Sequence, residues 1–107
     1  MEDSTVVTSL AALAHPLRLK VFRALVVVGQ AGLTPAVMQE ALEVPGTTLS
    51  FHLKELTNAG MVTCERSGRN LVYRAEFERM NGLLVYLTAN CCQGQACAVE
   101  LPAPCAC

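Results

Sequence analysis

Five of the chain's six cysteines crowd into its last seventeen residues: Cys91, Cys92, Cys97, Cys105 and Cys107. Cys64 stands apart, in a β-rich run, and reads as a small buried hydrophobe. A secreted disulfide scaffold would spread its cysteines through the fold to staple it. Here the rest of the chain carries a hydrophobic pattern of its own. In a reducing compartment, clustered thiols bind metal or respond to oxidants. Two adjacent thiols with a third a few residues on suit a soft, thiophilic centre. On a continuous helix Cys92 and Cys97 would lie about 140° apart. They converge with Cys91 only if the chain turns at Gly94, so the expected site is half helix end and half loop. Cys105 and Cys107 could instead complete a four-sulfur site of the kind zinc, cadmium or lead takes, and a pair of thiols could close as a redox disulfide.

A second group of residues suits contact with nucleic acid. Thr47, Thr48 and Ser50 place short hydroxyl donors at the start of a predicted helix, where free N–H groups and the helix dipole also favour a phosphate. Thr47 is equally suited to cap that helix. His52 can donate to a phosphate or a base edge. Arg66 and Arg69 lie by a turn further on and can reach the backbone or the minor groove. The net charge is −1, yet from Pro45 to Arg74 four basic residues (Lys54, Arg66, Arg69, Arg74) outnumber two acidic ones (Glu55, Glu65). A modestly basic middle between acidic ends can bind phosphate locally.

The elements that must hold these groups follow from pattern. Residues 5–14 are Ala-rich and apolar and read as a short helix. Pro16 opens a second helix with Leu17, Val21, Leu25 and Val28 on one face, closed near Gly29 and Gly32. Thr34-Pro35 is an N-cap followed by proline at the first helical position, opening a third. After the Pro45-Gly46 turn, a fourth helix runs from Thr47 to Asn58 with Leu49, Leu53 and Leu56 inward, and Gly60 fits its stop. Two β-rich runs flank Ser-Gly-Arg-Asn at 67–70, a hairpin signal. Residues 76–90 form a last helix, with Phe77, Met80, Leu84 and Leu87 at heptad-like spacing. His15 and Met38 read as structural. The expected class is mainly α with a β-hairpin wing, in the order α-α-α-α-β-β-α.

At 107 residues there is room for one domain, residues 1–90, and a cysteine-rich tail, 91–107. No apolar run reaches the length needed to cross a bilayer, and MEDSTVV lacks the basic region of a secretory signal. The expectation is a cytoplasmic protein with no membrane partner. A chain this short buries a modest share of its surface, and the first and last helices have apolar faces left over. Leu10, Leu13, Leu84 and Leu87 are the candidates for a homodimer surface. Nothing suggests an enzyme: there is no Cys-x-x-Cys, no phosphate-cradling glycine loop and no catalytic pair.

The run ALAHPLRLKVFRAL resembles the opening signature of the ArsR/SmtB family of metal-responsive repressors. TTLSFHLKELTNAGMV resembles that family's recognition helix, and CERSGRNLVYR its wing. The likeness covers roughly residues 10–75. It implies a winged helix-turn-helix and a homodimer on an inverted repeat of double-stranded operator DNA. Thr47, Thr48, Ser50, His52, Arg66 and Arg69 would then be the DNA-contacting residues. The chain departs from the family's usual inducer sites. Its third helix has no cysteine, and its last has neither His nor Asp. The inducer chemistry falls instead to Cys91, Cys92 and Cys97, which suit As(III) or Sb(III), bound by three sulfurs in a pyramid. Alternatives are a redox- or persulfide-sensing repressor, or a cadmium, lead or zinc sensor of the same fold. A thiol-rich metal-buffering protein would need neither recognition helix nor wing.

Overall fold

The computed structural model of the protein describes residues 1–90. The tail 91–107, with Cys91, Cys92 and Cys97 and the neighbouring Cys105 and Cys107, lies outside the described residues. Among those described, no helix is long and apolar enough to cross a membrane.

Proline and its neighbours set the helix starts. After α1 (Asp3–Leu13), His15 caps α2 (Pro16–Val28): its Nδ1 accepts the Leu17 N–H at 3.1 Å, and Pro16 takes the first helical position, where a missing N–H costs nothing. Thr34 does the same for α3 (Pro35–Leu42), its Oγ1 accepting the Val37 N–H. Glu43 then enters the left-handed region at φ 53°, and the chain turns through Val44 and Pro45 into α4 (Gly46–Asn58). This α3–turn–α4 unit is a helix-turn-helix. Pro45, not Thr47, is the cap residue of α4, so the Thr47 hydroxyl is free of that duty.

The hairpin is β1 (Val62–Ser67) against β2 (Asn70–Ala75), antiparallel, with Ser67 opposite Asn70. The two-residue turn has Gly68 first, at φ +62°, the conformation a II′ turn demands of glycine. Of the hairpin, Val62 and Ala75 at its base are buried in the core, and Tyr73 packs half-buried against it. A lone two-stranded ribbon is marginal in water. This one is pinned by a backbone bridge to Leu33, whose N–H and C=O pair with Tyr73 at 2.9 and 2.8 Å. Because the ribbon projects, Cys64 is exposed rather than a buried small hydrophobe.

The core lies where α2, α3, α4 and the hairpin base meet. Val21, Leu25, Met38, Leu49, Leu56 and Met61 are fully buried there. The last helix, α5 (Phe77–Thr88), divides its apolar residues. Phe77 and Leu83 are buried and Met80 packs against them, whereas Leu84 and Leu87 stay exposed. Leu10 on α1 is exposed too. The Tyr86 hydroxyl donates to Asp3, tying the two helices together. Arg79 fastens α5 to the end of α4 and to α1, donating to the Ala59 carbonyl at 3.0 Å and to the Ser9 hydroxyl at 3.4 Å.

Candidate nucleic-acid interface

Helix α4 has two unlike faces. Leu49, Leu53 and Leu56 point into the core, as their spacing predicts. Opposite them, Thr47, Phe51, Lys54 and Asn58 form an exposed stripe at the i, i+4, i+7, i+11 spacing of one helical face. Thr48 and Ser50 flank that stripe near the N-terminus and are exposed as well. Short hydroxyl donors, one lysine and one aromatic ring are thus presented together, on an element whose other side is locked down. That arrangement can enter a major groove, since the N-terminal residues of such a helix are the ones that reach base edges.

The hairpin supplies charge beside it. Arg66 and Arg69 are exposed on the wing and make no ion pair or side-chain hydrogen bond among the described residues. Arg74 is committed elsewhere. Its Nε donates to the Gln30 carbonyl at 2.7 Å, and its Nη1 pairs with Glu65 at 3.3 Å. The wing thus offers two cations able to contact phosphate, and a third that holds the ribbon to the body.

His52 is placed differently from expectation. Its side of α4 is the core side, and the residue is only 7% exposed. Arg18 on α2 donates from Nε to His52 Nδ1 at 3.1 Å, which leaves the ring proton on Nε2. The His15 ring lies 4.5 Å away, centroid to centroid. His52 is therefore a joint between α2 and α4, underneath the exposed stripe rather than on it. The helical wheel carried the signal: His52 falls about 60° from Leu49 and about 40° from Leu56. Phe51, which polar-donor reasoning passes over, falls about 160° from both Leu49 and Leu53, on the outer face.

Burial pushes the His52 pKa below its ordinary value, and the neighbouring His15 and Arg18 push the same way, against a smaller opposite pull from Glu55. The folded chain therefore holds the neutral imidazole. As the pH falls below about 6.5, the unfolded chain takes up this proton before the folded one does, so stability declines until the folded-state pKa is passed. His52→Gln keeps an oxygen that can accept from Arg18 and removes the titration. Urea denaturation between about pH 7.5 and about pH 5 should show a downward slope in the wild type that the variant lacks. Equal slopes would mean that His52 is not the group responsible.

Among the described residues, no three His, Cys, Asp or Glu side chains gather as a metal site.

Known proteins resemble this chain in sequence and in fold. The family described as a helix-turn-helix domain matches residues 13–65. Two curated relatives, each named HTH-type transcriptional repressor SmtB, come from Mycobacterium tuberculosis strains CDC 1551 / Oshkosh and ATCC 25618 / H37Rv. Each is 57% identical over 35 residues, which are 33% of this chain and 26% of the relative. The matched stretch thus spans about a quarter of those relatives' length. Among solved structures, an ArsR-like transcriptional regulator from Rhodococcus sp. RHA1 superposes with a TM-score of 0.70 at 25% identity, over 78% of this chain and 76% of that one. A crystal structure of a possible transcriptional regulatory protein (fragment 1–100) from Mycobacterium bovis gives 0.62 at 26% identity, over 81% and 92%. A solution structure of a homodimeric winged helix-turn-helix DNA-binding domain from Mycobacterium bovis gives 0.64 at 22% identity, over 92% and 97%, a likeness of fold.

Proposed function

The chain belongs to the ArsR/SmtB family of winged helix-turn-helix regulators, and on that premise we propose that it is a transcriptional repressor. In this reading a cytoplasmic homodimer holds an inverted-repeat operator and lets it go when As(III) or Sb(III) binds Cys91, Cys92 and Cys97. The observation that carries the DNA role is the exposed donor stripe of α4 set beside a wing whose Arg66 and Arg69 pair with none of the described residues. Thr47, Thr48 and Ser50 supply base or phosphate contacts at the helix N-terminus, and Arg66 and Arg69 grip the flanking backbone. His52 positions α4 from beneath.

Dimerisation is supported by the apolar residues that the monomer leaves uncovered on α1 and α5: Leu10, Leu84 and Leu87, with half-buried Leu13 beside a groove lined by Leu19, Phe22 and Val26. The similar Mycobacterium bovis domain is described as homodimeric. A two-fold dimer would set its recognition helices about 34 Å apart, one turn of DNA.

The inducer assignment rests on donor chemistry. Three thiols within seven residues match a trivalent, thiophilic centre that needs no fourth ligand. The test uses the full chain under reducing conditions. A duplex is recovered from a random-sequence pool and then titrated with arsenite, antimonite, cadmium, zinc and a persulfide donor. Arsenite and antimonite should release it. Release by the persulfide donor alone would move the function to sulfur sensing, and recovery of no duplex would sink the repressor reading. On the same duplex, Arg69→Ala should weaken binding to specific and random DNA alike. It should also lower the salt slope by about one for each phosphate no longer neutralised. An unchanged slope would remove Arg69 from the interface.

A further inference from the structure

Phe51 is 54% exposed at the middle of the outer stripe of α4, four residues after Thr47 and three before Lys54. Single exposed hydrophobic residues are common on protein surfaces. What sets this one apart is its place and its support. It stands among the residues that would enter the groove, and its ring is braced from below. The His52 ring meets it edge-on, centroids 5.3 Å apart at 71°, and the Arg18 guanidinium carbon lies 5.8 Å from its centroid. The ring is thus held by the same two residues that seat α4 on α2.

A phenyl ring has no hydrogen bond to offer a base edge. The apolar feature that the major groove displays is the C5-methyl group of thymine. We infer that Phe51 is a specificity-determining residue that reads thymine by packing against this methyl group, one thymine-bearing step in each half-site. The inference rests on the repressor reading above and adds to it a base preference and the side chain that creates it. Hydroxyl donors such as Thr47 and Ser50 can serve several bases, so an apolar contact beside them narrows the choice. His52 and Arg18 act as positioning residues for that contact.

The test takes the full chain and the duplex it selects from a random pool. Each thymine is replaced in turn by deoxyuridine, which keeps the base pair and removes only the methyl group. Affinity is measured at fixed salt. One thymine per half-site should prove sensitive, with binding about fourfold weaker for each methyl withdrawn from the ring. Phe51→Ala should bind the parent duplex more weakly and show no further loss on deoxyuridine at that thymine. Phe51→Leu, which keeps apolar bulk, should retain part of the sensitivity. The wild-type series stands alone should a variant fold poorly. If the wild type binds a selected duplex and no thymine methyl matters, the inference is overturned while the repressor reading survives. The same holds if Phe51→Ala keeps the full methyl sensitivity. If the chain selects no duplex, both fall.

Discussion

Leu53→Ala is expected to destabilise the folded chain by about 2–5 kcal/mol, the range for emptying a well-packed leucine site. Leu53 is 2% exposed at the centre of α4, between fully buried Leu49 and Leu56. The helix cannot easily sink to close the gap. It is held at once against α1, α2, α3 and β1, and tied at one end by Arg79 and on its flank by Arg18. A small domain has only about 5–15 kcal/mol in total, so the variant should sit near the edge of folding. Lys54→Ala, one residue on and exposed, should change stability by no more than about 0.5 kcal/mol. In urea, the Leu53→Ala midpoint should drop with little change in slope. Similar midpoints for the two variants would show that α4 is not seated through its leucine stripe.

The contrast between neighbours on α4 also shows what the sequence can and cannot disclose. The starts of α2 and α3 are legible because Pro16, Pro35 and the Thr34 cap act on their own backbone within three residues, whereas the His15 cap goes unread and α4 starts at Gly46 behind Pro45 rather than at Thr47. The hairpin is legible for the same reason, through Gly68 in a two-residue turn. The leucine stripe is legible from period alone. The interactions that decide the site are not local. Arg18 reaches His52 across 34 positions, Arg79 reaches Ser9 across 70, and Leu33 bridges to Tyr73. No propensity or spacing announces such partners. The chemistry of His52 favours DNA, whereas its wheel position beside Leu49 and Leu56 places it inward. Phe51 escapes notice because an aromatic is expected to be buried, yet its face of the helix is the outer one. Cys64 departs from expectation because a strand residue is buried only where a second layer covers it, and the projecting wing has none. For the tail, the sequence conveys thiol chemistry and the described fold adds only where it begins, just after α5.

Single replacements of Cys91, Cys92 or Cys97 by serine are expected to leave operator binding intact and to abolish release by arsenite. A trivalent arsenic centre held by three thiolates loses a covalent sulfur bond at each replacement, and a serine hydroxyl is a hard, far more basic substitute. Operator binding should survive because α4 and the wing are distant in sequence from the tail and are fastened to the body by their own contacts. Release must work through the equilibrium between DNA-bound and free forms, so the inducer has to favour the free form. Linkage then requires operator DNA to weaken arsenite binding by the same factor. Couplings of about 1–3 kcal/mol are typical, equivalent to a change of about 5–150-fold in operator affinity. In the proposed mechanism, a three-sulfur site formed by the residues that follow α5 in sequence would exert that leverage through α5, which carries exposed Leu84 and Leu87 on the face proposed to meet the partner subunit. A small change in how the subunits meet would shift both recognition helices against their grooves. Titrating arsenite into each variant bound to the selected duplex should therefore give a flat trace where the wild type gives release, while Cys64→Ser should behave as wild type. If all three tail variants still release DNA, the inducer is held elsewhere, and Cys105 with Cys107 becomes the pair to replace next.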